Sequence, residues 1–160
     1  MKLLILGHTI PEPTTTAAGS RMLQLIALFQ EEGYTIHFAT SALQNPRSVD
    51  LNSIDVTLDI IQLNHSSFDS YITDLGPDVV LYDRFVIEEH YGWRVAKCCP
   101  LALRILDTED LHFLRKAREL SIKTSGDLST VDLYTDATKR EIASIMRCDL
   151  SLIISSYEMK

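Results

Sequence analysis

The stretch LALRILDTEDLHFLR, residues 101–115, joins an apolar run directly to a cluster of titratable side chains. Residues 101–106 are typical of a strand that is buried on both faces of a sheet. The polar cluster that follows consists of Asp107, Thr108, Glu109, Asp110 and His112. Ligands of open α/β folds bind outside the carboxyl ends of the strands. We therefore expect this segment to border a functional site.

Strand and helix patterns alternate along the whole chain, which predicts a parallel sheet with helices on both faces. The predicted strands cover residues 2–7, 34–40, 56–63, 78–82, 101–106 and 150–154. The predicted helices cover residues 20–32, 67–75, 85–97, 110–120 and 131–147, and residues 121–130 form a polar segment. The apolar stripe of the last helix is expected to contain Tyr134, Ala137, Thr138, Ile142 and Ile145. These patterns indicate one doubly wound α/β domain over residues 1–160 with strand order 3-2-1-4-5-6, and a crevice above strands one and four.

The composition narrows the classes of partner. Hydrophobic residues make up 46% and charged residues 23% of the chain, as in an ordinary globular domain. The formal net charge of −7 argues against nucleic acid or anionic lipid as the main partner, because both attract cationic surfaces. No apolar run approaches the roughly 18 residues of a membrane span, and the apolar start is too short for a signal peptide. The expected location is therefore the cytoplasm.

The loop after the first strand ends in Ala17-Ala18-Gly19-Ser20-Arg21, at the start of a predicted helix. Small residues at a helix N-terminus let backbone N–H groups approach an anion, and the helix dipole favours negative charge there. The loop lacks the GxGxxG pattern of dinucleotide sites and the GK[ST] ending of a P-loop. We therefore expect no dinucleotide cofactor. The alternative is that Gly19 only permits close packing of the helix.

Two further groups of polar residues allow both a structural and a functional interpretation. Asp83 and Arg84, directly after the fourth strand, either form an internal ion pair or face the crevice and bind a polar substrate. Thr108 or Asp110 could cap the following helix, whereas Glu109 or His112 could act as an acid, a base or a hydrogen-bonding group. The five histidines show neither HxH nor HxxxH spacing, so no metal site is expected.

Several segments together resemble the N-terminal domain of glycosyltransferases of the GT-B architecture, in the large group 1 retaining family (family 4-like). They are MKLLILGHTIPEP, AAGSRMLQLIALFQEEGYTIHFATS, PDVVLYDRFVIEEHYGWRVA, ALRILDTEDLHFLRKAREL and KREIASIMRCDLSLIISSYEM. LDTEDLHFLR is the most distinctive part. The resemblance implies one Rossmann-like half of a two-domain enzyme, in which this half binds the acceptor and a C-terminal half binds the nucleotide-sugar donor.

The resemblance also implies roles for individual residues. The loop with Gly19, Ser20 and Arg21 would face the donor phosphates. The acceptor side would be lined by Asp83, Arg84, Thr108 and Asp110, with Glu109 and His112 as the catalytic candidates. Many members carry a histidine in a "T.HD" pattern, and here Glu109 takes the position of that histidine.

The donor-site carboxylates of the family have the spacing E-x7-E, and no two glutamates of this chain are so spaced. The resemblance therefore implies that the C-terminal donor-binding domain is missing and that residues 1–160 alone are inactive. The rival hypothesis is a stand-alone, non-catalytic α/β module that binds a ligand or acts as a scaffold. A receiver domain is disfavoured, because His8-Thr9 stands where that class needs an acidic pair.

Overall fold

In the computed structural model, which describes residues 1–127 and 131–158, strands and helices alternate as the sequence patterns predict. The strands are β1 (Lys2–Leu6), β2 (Thr35–Thr40), β3 (Val56–Ile60), β4 (Val79–Asp83), β5 (Leu103–Asp107) and β6 (Leu150–Leu152). The helices are α1 (Ala17–Glu31), α2 (Ser67–Leu75), α3 (Phe85–Cys98), α4 (His112–Thr124) and α5 (Asp136–Arg147), with a 3₁₀ turn at Leu51–Ile54.

The six described strands form one parallel sheet in the order β3-β2-β1-β4-β5-β6. This order confirms the predicted doubly wound, Rossmann-like fold. Because the chain reverses direction across the sheet after β3, the carboxyl ends of β1 and β4 lie next to each other. Such a switch point leaves a crevice between the loops that follow the two strands.

The core lies on both faces of the sheet because successive side chains of a strand point to opposite sides. Leu3 and Ile5 pack on the face covered by α1, beside Met22 and Ile26. Alternate residues of the central strands pack on the other face, against α2 and α3. All of β4 is buried, which explains why the four residues before Asp83 are apolar or aromatic.

The end of the chain departs from the prediction. The last helix begins at Asp136, not at residue 131, because Asp132 accepts a hydrogen bond from the backbone N–H of Tyr134 and forms a turn that competes with helix. The predicted stripe is only partly right: Ile145 packs against the core, but Tyr134 and Ile142 are exposed, whereas Glu141 and Ser144 are buried.

Other bounds shift as well, including the start of β5 at Leu103 and the ends of β3 at Ile60 and of β6 at Leu152. Helix α1 begins at Ala17 instead of residue 20, because the side chain of Thr16 caps it. Helix α4 starts at His112 and continues to Thr124, so the first part of the predicted polar segment is helical. Residues 128–130 of that segment lie outside the described residues. No helix in the described ranges is long and apolar enough to cross a membrane.

Candidate functional site

The carboxyl ends of β1, β4 and β5 bring three polar loops together at one edge of the sheet. Asp83 pairs in register with Asp107, and Leu6 of β1 pairs with Tyr82 of β4. The residues just beyond these strand ends therefore meet across the switch point. They include His8, Arg84 and Glu109.

Arg84 connects these loops through its side chain and its backbone. Its guanidinium lies 2.7 Å from Oε2 of Glu109 and donates to Oδ1 of Asp83 at 3.1 Å, and its backbone N–H donates to the carbonyl of Asp107 at 2.8 Å. Arg84 has a φ of 66° and Glu109 a φ of 58°, in the left-handed region that non-glycine residues rarely adopt. A backbone conformation of this kind costs about 1–3 kcal/mol per residue and persists only where the surrounding structure enforces it.

Asp83 serves as an internal anchor and also borders the site. It is 4% exposed, and its Oδ2 accepts a hydrogen bond from the backbone N–H of His8 at 2.9 Å. The Asp83–Arg84 ion pair also lines a small cleft together with Gly19 and Glu109. The internal ion pair is therefore present, and the pair also faces the crevice; the binding of a polar substrate there stays a prediction.

Arg21 forms a second ion pair beside the first one. It extends from α1 to β5, where its Nε and a terminal nitrogen lie 3.1 and 2.9 Å from Oδ1 of Asp107. Asp107 is 1% exposed. Breaking a buried charge pair leaves the other charge uncompensated, so this contact holds α1 firmly against the sheet edge.

Burial changes the acid–base behaviour of two groups at the rim. Burial, followed by the charge of Asp83, raises the pKa of the Glu109 carboxyl, while Arg84 acts in the opposite direction. Burial and then the positive charge of Arg84 lower the pKa of His8, which favours its neutral imidazole. Glu109 therefore keeps its proton to a higher pH than an ordinary glutamate, and a protonated carboxyl can donate a hydrogen bond.

Gly19 and Ser20 face the preceding loop. A Cβ on Gly19 would lie 2.6 Å from backbone atoms of Glu12, and its N–H donates to Oγ1 of Thr16 at 3.0 Å. The hydroxyl of Ser20 donates to the carbonyl of Pro13. The close packing weighed in the sequence analysis is therefore present at Gly19.

A groove of about 390 Å³ runs beside this cleft, from the start of α1 to the segment that follows β6. Its lining residues are Thr16, Ala17, Ala18, Arg21, Glu109, Asp110, Arg115 and Ile154. Glu109 and Ala18 line both the groove and the cleft. Six of the nine predicted site residues thus border one continuous depression: Gly19, Arg21, Asp83, Arg84, Glu109 and Asp110.

Thr108 and His112 lie behind the depression and hold the loop in place. The hydroxyl of Thr108 donates to the carbonyl of Leu152 at 2.9 Å. Neither Thr108 nor Asp110 caps α4, so both predicted caps are wrong. The side chain of His112 is 13% exposed, and its ring packs edge-on against Phe85.

The residue that does cap α4 is Glu141 of α5, which the sequence analysis missed. Its carboxylate is fully buried and accepts from the backbone N–H groups of His112 and Phe113, at 3.1 and 2.7 Å. The sequence did offer one signal of this cap, a glutamate beside small and polar residues in an amphipathic helix. It gave no information on the partners, the two backbone N–H groups that lie 28 and 29 residues earlier in the chain.

The described side chains contain no cluster of three or more His, Cys, Asp or Glu residues with a geometry suited to a metal ion. A separate cavity of about 370 Å³ lies between α4 and the start of α5, lined by Phe113, Ala117 and Thr135 among others. None of the nine predicted site residues borders it. The depression at the switch point is therefore the candidate site.

No family model matches this sequence, and no curated protein matches it. In structure, the chain is similar to the apo form of the lipopolysaccharide outer core galactosyltransferase WaaB, with a TM-score of 0.60 and 12% identity over 98% of this chain. It is also similar to a putative NAD-dependent epimerase/dehydratase from Methylobacillus flagellatus, with a TM-score of 0.55 and 13% identity over 96% of this chain. The chain spans 40% and 54% of the lengths of these two proteins. The fold of this chain is thus a glycosyltransferase-like, Rossmann-like α/β fold that matches one half of the GT-B architecture.

Proposed function

We propose that this chain is the acceptor-side half of a cytoplasmic glycosyltransferase, which moves a sugar from a nucleotide-sugar donor to an acceptor with retention of configuration. In this proposal a separate donor-binding domain faces the groove and completes the enzyme. The chain alone then turns over no substrate, because the donor would be held by that second domain.

The observation that carries the proposal is the convergence of Arg84, Glu109 and the N-terminus of α1 on one depression at the switch point. These groups come from three separate segments of the chain. Ligands of open α/β folds bind at such a place. The similarity to a galactosyltransferase, which extends over 40% of that protein, supports the same assignment.

In the proposed mechanism each group has one role. The positive end of the α1 dipole, with Arg21 nearby, faces the diphosphate that leaves with the nucleotide. Arg84 orients Glu109, and Glu109 contacts the acceptor hydroxyl as donor or acceptor of a hydrogen bond. Gly19 and Ser20 shape the loop that the phosphates approach.

The remaining predicted residues act on the acceptor side. Asp83 and Asp110 are assigned to sugar hydroxyls, and Thr108 and His112 hold the loop that carries Glu109. Orientation of the acceptor and exclusion of water from a closed cleft contribute several kcal/mol to such reactions.

The similarity to an epimerase/dehydratase raises a dinucleotide-binding function as the second candidate. A glycine-rich turn would have to bring its backbone against a pyrophosphate. The loop after β1 has Gly7 and Gly19 far apart, and the α-carbon of Gly19 is covered by the backbone of Glu12. This geometry favours the transferase.

The test is a transfer assay with the protein expressed from its complete reading frame and, in parallel, with residues 1–160. Release of nucleoside diphosphate is measured with a panel of nucleotide sugars and acceptors. We expect turnover from the complete protein only. A reading frame that ends after residue 160, or a complete protein that binds NAD and transfers no sugar, would reject the proposal and favour a stand-alone module or a dehydratase.

A further inference from the structure

The edge of the sheet opposite the candidate site has a cavity of about 340 Å³ with two adjacent thiols in its wall. Helix α3 ends at Cys98, and Cys99 follows as its C-cap residue. Thr73 of α2 and Leu101, whose side chain is 98% exposed, line the same cavity. None of the residues proposed to act in sugar transfer borders it. The pair of thiols is therefore separate from that function.

Both cysteines are reduced, and both are partly exposed. Burial, followed by the neighbouring sulfur of Cys98, raises the pKa of the Cys99 thiol. The Sγ of Cys99 donates to the carbonyl of Ile72 at 3.4 Å, and that carbonyl also accepts from the N–H of Gly76 at 2.9 Å. Loss of the thiol proton therefore leaves no unpaired carbonyl in the core.

The protonated thiols select the kind of ligand. Alkylating agents and peroxides react with the thiolate, which the raised pKa of Cys99 disfavours. An electrophile that carries hydroxyl groups needs no thiolate, because each hydroxyl takes up a thiol proton and leaves as water. Sulfur ligands favour soft elements. The described side chains contain no cluster of three or more His, Cys, Asp or Glu residues suited to a metal ion. A soft element that needs only two protein ligands fits this pair.

We propose that Cys98 and Cys99 together bind trivalent arsenic that carries one organic group, and that this group occupies the cavity. Two As–S bonds form and the two As–O bonds of RAs(OH)2 break, and the two thiol protons leave with the hydroxyl groups as two molecules of water. Arsenic stays trivalent, so no oxidant or reductant takes part. A cavity of about 150 Å³ holds benzene, so this larger one has room for an aryl group.

This inference goes beyond the proposed function, and its test needs no turnover. The reduced chain is mixed with phenylarsine oxide, which hydrates to the dihydroxy form, and the mass of the intact protein is measured. We expect one arsenic per chain, retained in excess 2-mercaptoethanol and released by 2,3-dimercaptopropanol. The absence of an adduct, or an adduct that 2-mercaptoethanol removes, would overturn the proposal.

Serine variants test whether both thiols are needed. Cys98→Ser and Cys99→Ser should each weaken binding about 100-fold or more, because the second As–S bond forms within one molecule and gains from its effective concentration. The matched control is Cys148→Ser, which removes the third, also partly exposed thiol and should bind as the wild type does. Full binding by either single variant, or a loss in Cys148→Ser, would overturn the assignment.

A protection experiment gives the same answer without a variant. The loaded wild type is treated with N-ethylmaleimide, and the labelled peptides are identified by mass. We expect Cys98 and Cys99 to be protected together. Alkylation of either cysteine in the loaded protein would overturn binding by the pair.

A variant that fills the cavity tests the place of the organic group. Thr73→Trp, at an exposed position that lines the cavity, should weaken binding of the phenyl derivative about tenfold, since the apolar ring loses its contacts. The smaller methyl derivative should bind as before. Ser70→Trp, at an exposed position of α2 outside the lining, is the control and should affect neither. Unchanged binding of the phenyl derivative to Thr73→Trp, or loss of the methyl derivative as well, would overturn the role of the cavity.

Discussion

Helices α1 and α4 both begin at the carboxyl edge of the sheet, but their N-termini are satisfied in different ways. Helix α1 is capped by its own Thr16, has no acidic residue in its first turn and borders the groove. Helix α4 has no cap of its own, and the buried carboxylate of Glu141 binds its first two N–H groups. One positive helix end is thus neutralised inside the protein, and the other remains next to the candidate site.

The largest expected effect tests this difference directly. Glu141→Ala should lower the free energy of unfolding by about 3 kcal/mol, because it removes a buried, hydrogen-bonded charge. Thr16→Ala should cost about 1 kcal/mol, the usual value of an N-cap. Urea unfolding measures both losses of stability. Glu119→Ala, at an exposed side chain, is the control and should have no large effect. Equal losses from Glu141→Ala and Thr16→Ala would contradict the distinction between the two helix ends.

The second effect concerns the close contact that positions α1. Gly19→Ala should lower the free energy of unfolding by about 2 kcal/mol, although alanine favours helix, because its Cβ meets the backbone of Glu12. Gln24→Ala, at an exposed position of the same helix, is the control and should be neutral within about 0.5 kcal/mol. A stabilised Gly19→Ala would show that the loop moves freely, and that the α1 terminus is less fixed than the α4 terminus.

The third effect concerns Arg84, which lies between the two helix ends, and separates the contribution of its backbone strain to stability from that of its side chain. Both Arg84→Ala and Arg84→Gly remove the ion pairs to Asp83 and Glu109. Only glycine adopts a φ of 66° with a ψ of 163° without strain. Arg84→Gly should therefore be about 1 kcal/mol more stable than Arg84→Ala in urea unfolding. Equal stability of the two variants would mean that the backbone relaxes when the side chain is lost.

The sheet order and most elements could be predicted because they follow from local patterns: apolar runs, breaks and helical spacing. The capping of α4 could not be predicted, because it depends on Glu141, which is far away in the chain. The apolar spacing of α5 predicted that the face with Glu141 is exposed to solvent, whereas Glu141 is buried. The meeting of Arg84 with Glu109 needed the register of β4 and β5, which no local pattern contains.

The smallest effect is on the pH dependence of stability. It probes Glu109, which is partly buried beside the α1 end and caps neither helix. Because its pKa is raised, the folded state binds more protons than the unfolded state at pH values above about 4.5, the ordinary pKa of glutamate. The free energy of unfolding should therefore fall as the pH rises through this window. Glu109→Gln has no proton to lose, so it should gain stability relative to the wild type over the same interval.

Urea unfolding of both proteins at a series of pH values gives the difference between their free energies of unfolding. The contributions of the other titrating groups cancel in that difference. If the wild type instead became more stable relative to Glu109→Gln as the pH rises, the ion pair with Arg84 would outweigh the effect of burial on the pKa of Glu109. Glu109 would then be ionised and held internally by Arg84, much as Glu141 is held by the first N–H groups of α4. The carboxyl proposed to contact the acceptor hydroxyl would in that case be a structural group, and the role of the α1 end would rest on its dipole alone.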